Sequence, residues 1–244
     1  GDEGEVLDCP NVFRHGDKWY MMFVVNKDNV GYETHLAVSD DLLSWKRLGK
    51  ILRFADSGWD KWQADAGVAL WDYEWGGSAT LGTFEDRYWL TYIGGHQQGY
   101  EPDPLSTGLA STDDPTQARD WTRYEGNPIL TPFQDGVRPF EVKTIYKTHV
   151  IHDPEERLGY PFIMYYNGKD GAGSGHEAIG MAVSNDMRNW IRMGDTHLIY
   201  NVGELRWSIS GDPQIVRIGD LWVMFYFGAF WEPGAFDTFA ASYD

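Results

Sequence analysis

Four carboxyl side chains stand at matching points of this chain, each just ahead of a short apolar run. They are Asp8 in Leu7-Asp8-Cys9-Pro10-Asn11, Asp65 in Gln63-Ala64-Asp65-Ala66-Gly67, Glu141 in Pro139-Phe140-Glu141-Val142-Lys143, and Asp212 in Ser210-Gly211-Asp212-Pro213-Gln214. If the fold gathers them, their mutual repulsion raises some of the pKa values and leaves others low. A protonated carboxyl beside an ionised one is what general acid–base catalysis requires. Two plainer readings compete. Asp before Pro or Gly often only forms a turn, and clustered carboxylates also hold Ca²⁺, although no close Asp-rich loop is visible.

The elements that must position these acids come from self-similarity. Three segments end alike: His35-Leu36-Ala37-Val38-Ser39-Asp40-Asp41 before Trp45, Gly108-Leu109-Ala110-Ser111-Thr112-Asp113 before Trp121, and Gly180-Met181-Ala182-Val183-Ser184-Asn185-Asp186 before Trp190. A fourth, Phe239-Ala240-Ala241-Ser242-Tyr243-Asp244, begins the pattern. Ser39, Ser111 and Ser184 are 72 and 73 residues apart, and Ser242 lies 58 further on. Upstream, Asn11-Val12-Phe13, Gly16-Asp17 and Lys18 to Phe23 read as strand, tight turn, strand, and Gln214 to Arg217, Gly219-Asp220 and Leu221 to Tyr226 repeat the reading. Helical periodicity is nearly absent. Four antiparallel strands per repeat of this length indicate β-propeller blades. A β-sandwich would place strands every ~8–12 residues without so long a repeat. The expectation is an all-β chain forming a single domain over 1–244, with three full blades and most of a fourth, and a ring completed by sequence beyond this stretch.

Composition narrows the partner. With 37 acidic against 20 basic residues the net charge is −17, which repels phosphate backbones and anionic lipid, so nucleic acid and membranes are poor ligands. Cys9 is the one cysteine, which excludes an intrachain disulfide and a cysteine-based zinc site. The opening Gly1-Asp2-Glu3-Gly4 carries no leader pattern, so any export signal is already gone, and a secreted or periplasmic setting is favoured. Twelve Trp among 244 residues is high. Most fill a core, but indoles also stack on the apolar faces of sugar rings, and an acidic, Trp-rich chain suits a neutral carbohydrate.

At Asp8-Cys9-Pro10-Asn11, and at Asp212-Pro213-Gln214-Ile215-Val216 followed by Gly219 and Trp222, the chain resembles the five-bladed β-propeller glycosidases of the arabinanase, β-xylosidase and invertase group. The resemblance spans the whole chain as a blade pattern. It implies a glycoside hydrolase with Asp8, Glu141 and Asp212 as catalytic carboxyls. Three departures are visible: Cys9 splits the family's Asp-Pro, Asp212 stands where the family has Glu, and Glu141 where it has Asp. The acid and base roles are therefore exchangeable, with Asp212 the first choice as proton donor, Glu141 the reserve, and Asp8 the base or nucleophile. Carboxyl separations of about 5–5.5 Å give retention and about 6.5–9.5 Å inversion; the family branch leans towards inversion.

Substrate contacts are expected from Asp65, Trp62, His96, Arg138, Lys143, His176 and Trp207, whereas the regularly repeated Trp45, Trp121 and Trp190 read as structural. No cofactor is required, and a structural Ca²⁺ is compatible with the central channel. A non-catalytic carbohydrate-binding propeller is the rival class. A glycoside phosphorylase is another, and would need Arg138, Lys143 and the loop histidines to converge on phosphate.

Overall fold

A computed structural model describes residues 1–171, 175–201, 208–232 and 234–243, and their regular structure is strand throughout apart from one 3-10 turn at Pro139–Glu141. Among the described residues no helix is long and apolar enough to cross a membrane. The chain forms two compact units: residues 1–72 with 78–128, and residues 73–77 with 129–244.

In the first unit, β1 (Glu5–His15), β2 (Lys18–Lys27), β3 (Tyr32–Ser39) and β4 (Lys46–Leu52) run as an antiparallel meander. A second meander follows: β5 (Gln63–Val68), β6 (Tyr88–Gly95), β7 (Ser106–Thr112) and β8 (Thr122–Arg123). Parallel pairing of Tyr32 with Gln63 and Glu33 with Ala64 joins the two. The second unit repeats the plan with β9 (Thr144–His152), β10 (Phe162–Lys169), β11 (Glu177–Ser184) and β12 (Ile191–Arg192), then β13 (Ile209–Ile218), β14 (Leu221–Trp231) and β15 (Gly234–Ser242). Here Glu177 pairs in parallel with Ile209. Each unit thus sets the start of a third strand beside the start of the next repeat's first strand.

The recurring residues explain the recurring turns. Gly16 and Gly219 take φ of 59° and 61°, the left-handed backbone that two-residue hairpin loops demand. After β3, Ser39 Oγ accepts from the Asp41 and Leu42 amides, Asp41 Oδ1 accepts from Leu43 and Ser44, and Trp45 Nε1 donates to the Leu42 carbonyl at 3.1 Å. Ser184, Asp186 and Trp190 repeat this after β11, Trp190 Nε1 reaching the Met187 carbonyl at 2.7 Å. In these two copies the Ser and Trp of the repeat therefore close its third turn. In the second copy the register differs from the sequence match. Thr112, not Ser111, ends the third strand opposite Tyr88, as Ser39 does opposite Trp19.

Apolar faces of consecutive meanders make the cores. Phe13, Met22, Leu36, Leu90 and Trp121 are buried together in the first unit, and Ile151, Ile163, Ile179, Val183 and Ile215 in the second. Each such side chain contributes about 1.5–3 kcal/mol by leaving water.

Candidate active site

Strand register shows which acids occupy equivalent places. Trp19, Tyr88, Phe162 and Trp222 face the last residues of the third strands, Ser39, Thr112, Ser184 and Ser242. Five residues beyond them, Val24, Ile93, Asn167 and Phe227 pair with Asp8, Asp65, Tyr146 and Gly211. So Asp8 and Asp65 are true equivalents, while the other two acids sit elsewhere. Asp212 is one residue further on, in a bulge with φ 52°, matching Cys9 (φ 49°) and Lys147 (φ 50°). Each of these three bulges shifts the register by inserting residues into the inner strand.

Glu141 lies before its strand, in the 3-10 turn, and is fully buried. Oε1 accepts from the Arg138 amide (3.1 Å), Arg138 Nε (3.2 Å) and Arg192 Nε (2.6 Å), and Oε2 accepts from an Arg138 terminal nitrogen (3.0 Å) and Tyr166 Oη (2.6 Å). Burial pushes this carboxyl up, but the Arg138 and Tyr166 hydrogen bonds prevail and hold it below the ordinary carboxylate value. The arrangement has a counterpart in the first unit. Asp60 stands five residues before Asp65, as Glu141 stands five before Tyr146, and it accepts from Tyr92 Oη (2.9 Å) and Arg123 Nε (2.8 Å). In the first repeat Arg47 grips Glu5 at 2.8 and 3.1 Å. Arg47, Arg123 and Arg192 each follow the repeated Trp by two, a spacing plain in the sequence and overlooked in reading it. Glu141 therefore belongs to a repeated Arg–carboxylate clamp.

The second unit has another acid, one that sequence reasoning missed. Glu177 opens β11, is 6% exposed, and accepts from Asn167 Nδ2 at 3.3 Å, while Asn167 Oδ1 accepts from the Asp212 amide at 2.8 Å. Burial raises the Glu177 carboxyl. Hydrogen bonding to Tyr146 and the Lys169 charge pull it down, the Asp212 charge pushes it up again, and the net is above the usual carboxylate range. Gly211 makes the bridge possible, since a Cβ there would lie 2.2 Å from Asn167 Nδ2. In the first unit Tyr32 holds the place of Glu177, each seven residues before the final Ser of its strand. Its phenol is held above its ordinary value by burial first, with further contributions from Tyr100, Glu101, Asp8 and Asp65. One unit thus sets a third-strand Tyr within the electrostatic reach of inner-strand acids, and the other bonds a third-strand Glu to the inner-strand Tyr146.

No family model and no curated protein sequence matches the chain. Solved structures do. A complex of BT0996 with RGII is 43% identical with a TM-score of 0.91, the match covering 100% of this chain and 72% of that one. A second structure, described simply as a glycoside hydrolase, is 42% identical over the same shares, also with a TM-score of 0.91. The chain therefore belongs to the β-propeller glycoside hydrolases. A thermostable family-43 glycoside hydrolase, 16% identical with a TM-score of 0.66 over 98% of this chain and 70% of that one, shares the fold.

The remaining expected contacts of this glycosidase are placed as follows. Asp8 is exposed and its Oδ1 accepts from the Cys9 amide at 2.8 Å, while Asp65 is buried. Trp62 is half-buried, edge-on to Phe54 at 5.4 Å with Lys61 Nζ 4.9 Å from its ring centroid, and His96 is exposed in the loop after β6. Arg138 is consumed by the clamp, its other terminal nitrogen donating to the carbonyls of Met193, Gly194 and Thr196. Lys143 is half-buried ahead of β9, and His176 Nδ1 lies 3.4 Å from Asp170 Oδ2. Trp207 lies outside the described residues. Among the described residues no three His, Cys, Asp or Glu side chains are grouped so as to hold a metal ion.

Proposed function

We propose that this glycosidase cleaves oligosaccharides by paired-carboxyl catalysis in which Glu177 is the proton donor, a role first expected of Asp212 or Glu141. The observation that carries this is the buried Glu177 carboxyl, its pKa raised by burial and by the Asp212 charge and its side chain linked through Asn167 to the Asp212 amide. Glu177 gives its proton to the glycosidic oxygen as the C–O bond breaks. Water adds to the anomeric carbon and loses a proton to a carboxylate base, Asp212 being the candidate beside Glu177 and Asp8 the one that the family resemblance implies. Inversion, a five-bladed ring and independence from any cofactor follow the family resemblance. Engagement of Arg138 in the clamp supports hydrolysis over phosphorolysis. The carbohydrate is of the RGII kind named for the 43% identical relative.

Replacing Glu177 with Gln tests the assignment. Turnover of an oligosaccharide falls by about 10²–10⁴, a 4-nitrophenyl glycoside with a good leaving group is much less affected, and the alkaline limb of the pH profile disappears. Undiminished oligosaccharide hydrolysis by this variant removes Glu177 from the mechanism.

A further inference from the structure

Beside Glu177 the second unit contains a cavity of about 250 Å³ whose walls include Phe140, Asp170, His176, Glu177, His197 and Tyr200. That is below the ~300–1,000 Å³ of drug-sized pockets and suits a single small ring. Several rings meet in it. Tyr200 lies 5.2 Å from His197 and 6.1 Å from His176, and Phe140 meets His197 edge-on at 5.9 Å. Opposite hydrogen-bonding character comes from Asp170, paired with His176 at 3.4 Å.

Hydrogen bonds tie several of the described wall segments to the sheet. Arg138 joins the 3-10 turn that carries Phe140 to the carbonyls of Met193, Gly194 and Thr196, and Arg192 closes the same network onto Glu141. Leu198 and Ile199 both donate backbone hydrogen bonds to the Ile179 carbonyl of β11, at 2.7 and 3.2 Å. Asn201 is pinned by Ser210 Oγ (3.1 Å) and Tyr226 Oη (3.0 Å). A preorganised cavity spends little of its binding energy on ordering itself.

We propose that this cavity is a sugar subsite that seats one neutral furanose or pyranose ring against Tyr200 and His197, with its hydroxyls bound by Asp170 and His176. Flat aromatic walls match the apolar C–H faces of a sugar, and a carboxylate–imidazole pair offers both an acceptor and a donor to vicinal hydroxyls. Among the described residues neither Lys nor Arg lines the cavity, while Asp170 does, so a uronic acid is disfavoured by like charge. The proposal rests on the glycosidase reading only in that Glu177 borders the cavity; ring binding itself needs no catalysis.

The test is calorimetric titration of the full chain with free neutral monosaccharides, pentoses and hexoses, and with the matching uronic acids. At least one neutral sugar binds and its uronic acid binds more weakly. Tyr200→Ala and His176→Ala each weaken the neutral sugar by about tenfold or more, equivalent to about 1.4 kcal/mol, with melting temperature preserved. Tyr200→Phe, which keeps the ring, restores binding. In hydrolysis, Tyr200→Ala raises KM and leaves kcat nearly unchanged. Binding that is indifferent to both alanine variants, tighter binding of the uronic acids, or no binding by any neutral sugar overturns the subsite. Failure of the acid assignment would instead appear as an active Glu177→Gln protein whose sugar binding still depends on Tyr200.

Discussion

Glu141 separates a structural clamp from a catalytic acid. Glu141→Gln removes the charge that compensates Arg138 and Arg192, whose side chains are only 6% and 10% exposed. It also turns an acceptor facing Arg138 and Tyr166 into a donor. Breaking a buried pair in this way costs about 3–5 kcal/mol. At about 2–4 °C per kcal/mol for a chain of this size, the melting temperature falls by about 6–20 °C. The pH dependence has a definite sign. Because the folded pKa of Glu141 lies below its unfolded value, the stabilisation is complete above the unfolded value and lost as pH falls through the folded one. The gap between wild type and variant therefore narrows in acid. Scanning calorimetry across pH reads this, with hydrolysis measured at a temperature where both proteins are folded; there KM rises more than kcat falls, since the clamp sets the walls of the sugar cavity. A variant that melts like wild type yet loses about 10²–10⁴ in kcat refutes the clamp and returns Glu141 to the chemistry.

Three further outcomes follow. Gly211→Ala drives a Cβ into Asn167, so stability drops by about 1–3 kcal/mol and oligosaccharide turnover falls; urea unfolding and kcat together check it, and unchanged turnover discounts the Asn167 bridge. His149, buried in the second unit, has its pKa pushed down to about 4 by burial. The unfolded chain then takes up a proton near pH 6.5 that the folded chain refuses, so about 3 kcal/mol of stability is lost between pH 6.5 and 4, a slope that urea titrations should find reduced in His149→Phe. Asp8→Asn leaves the fold intact and abolishes hydrolysis; measured turnover equal to wild type removes Asp8 from the mechanism and leaves the base to Asp212.

The repeats were legible because their signals are local. Ser39 and Trp45, like Ser184 and Trp190, close a turn within a few residues, so identity and spacing survive in the sequence. Asp8 and Asp65 were legible as equivalents because both face the residue five places into the second strand, the bulge at Cys9 falling just after Asp8. Glu141 and Asp212 were misplaced by features that act across strands. A 3-10 turn holds Glu141 short of β9, and a left-handed bulge pushes Asp212 one position on. Glu177 escaped notice because it starts a third strand, whose importance emerges only once parallel pairing sets that strand beside the next repeat's first. The Trp-x-Arg spacing was available throughout and marks the clamp.

The exchange of Tyr32 for Glu177 at one structural position has a consequence for how such proteins acquire new reactivity. Turn closures and guanidinium clamps that do not involve that position secure both halves, so a buried Tyr in one and a buried Glu in the other are both accommodated. Tandem duplication supplies two tolerant slots, and a spare copy can explore acidity while its sibling keeps a phenol. Reactivity can then pass from one repeat to another by point substitution, with no rebuilding of the scaffold.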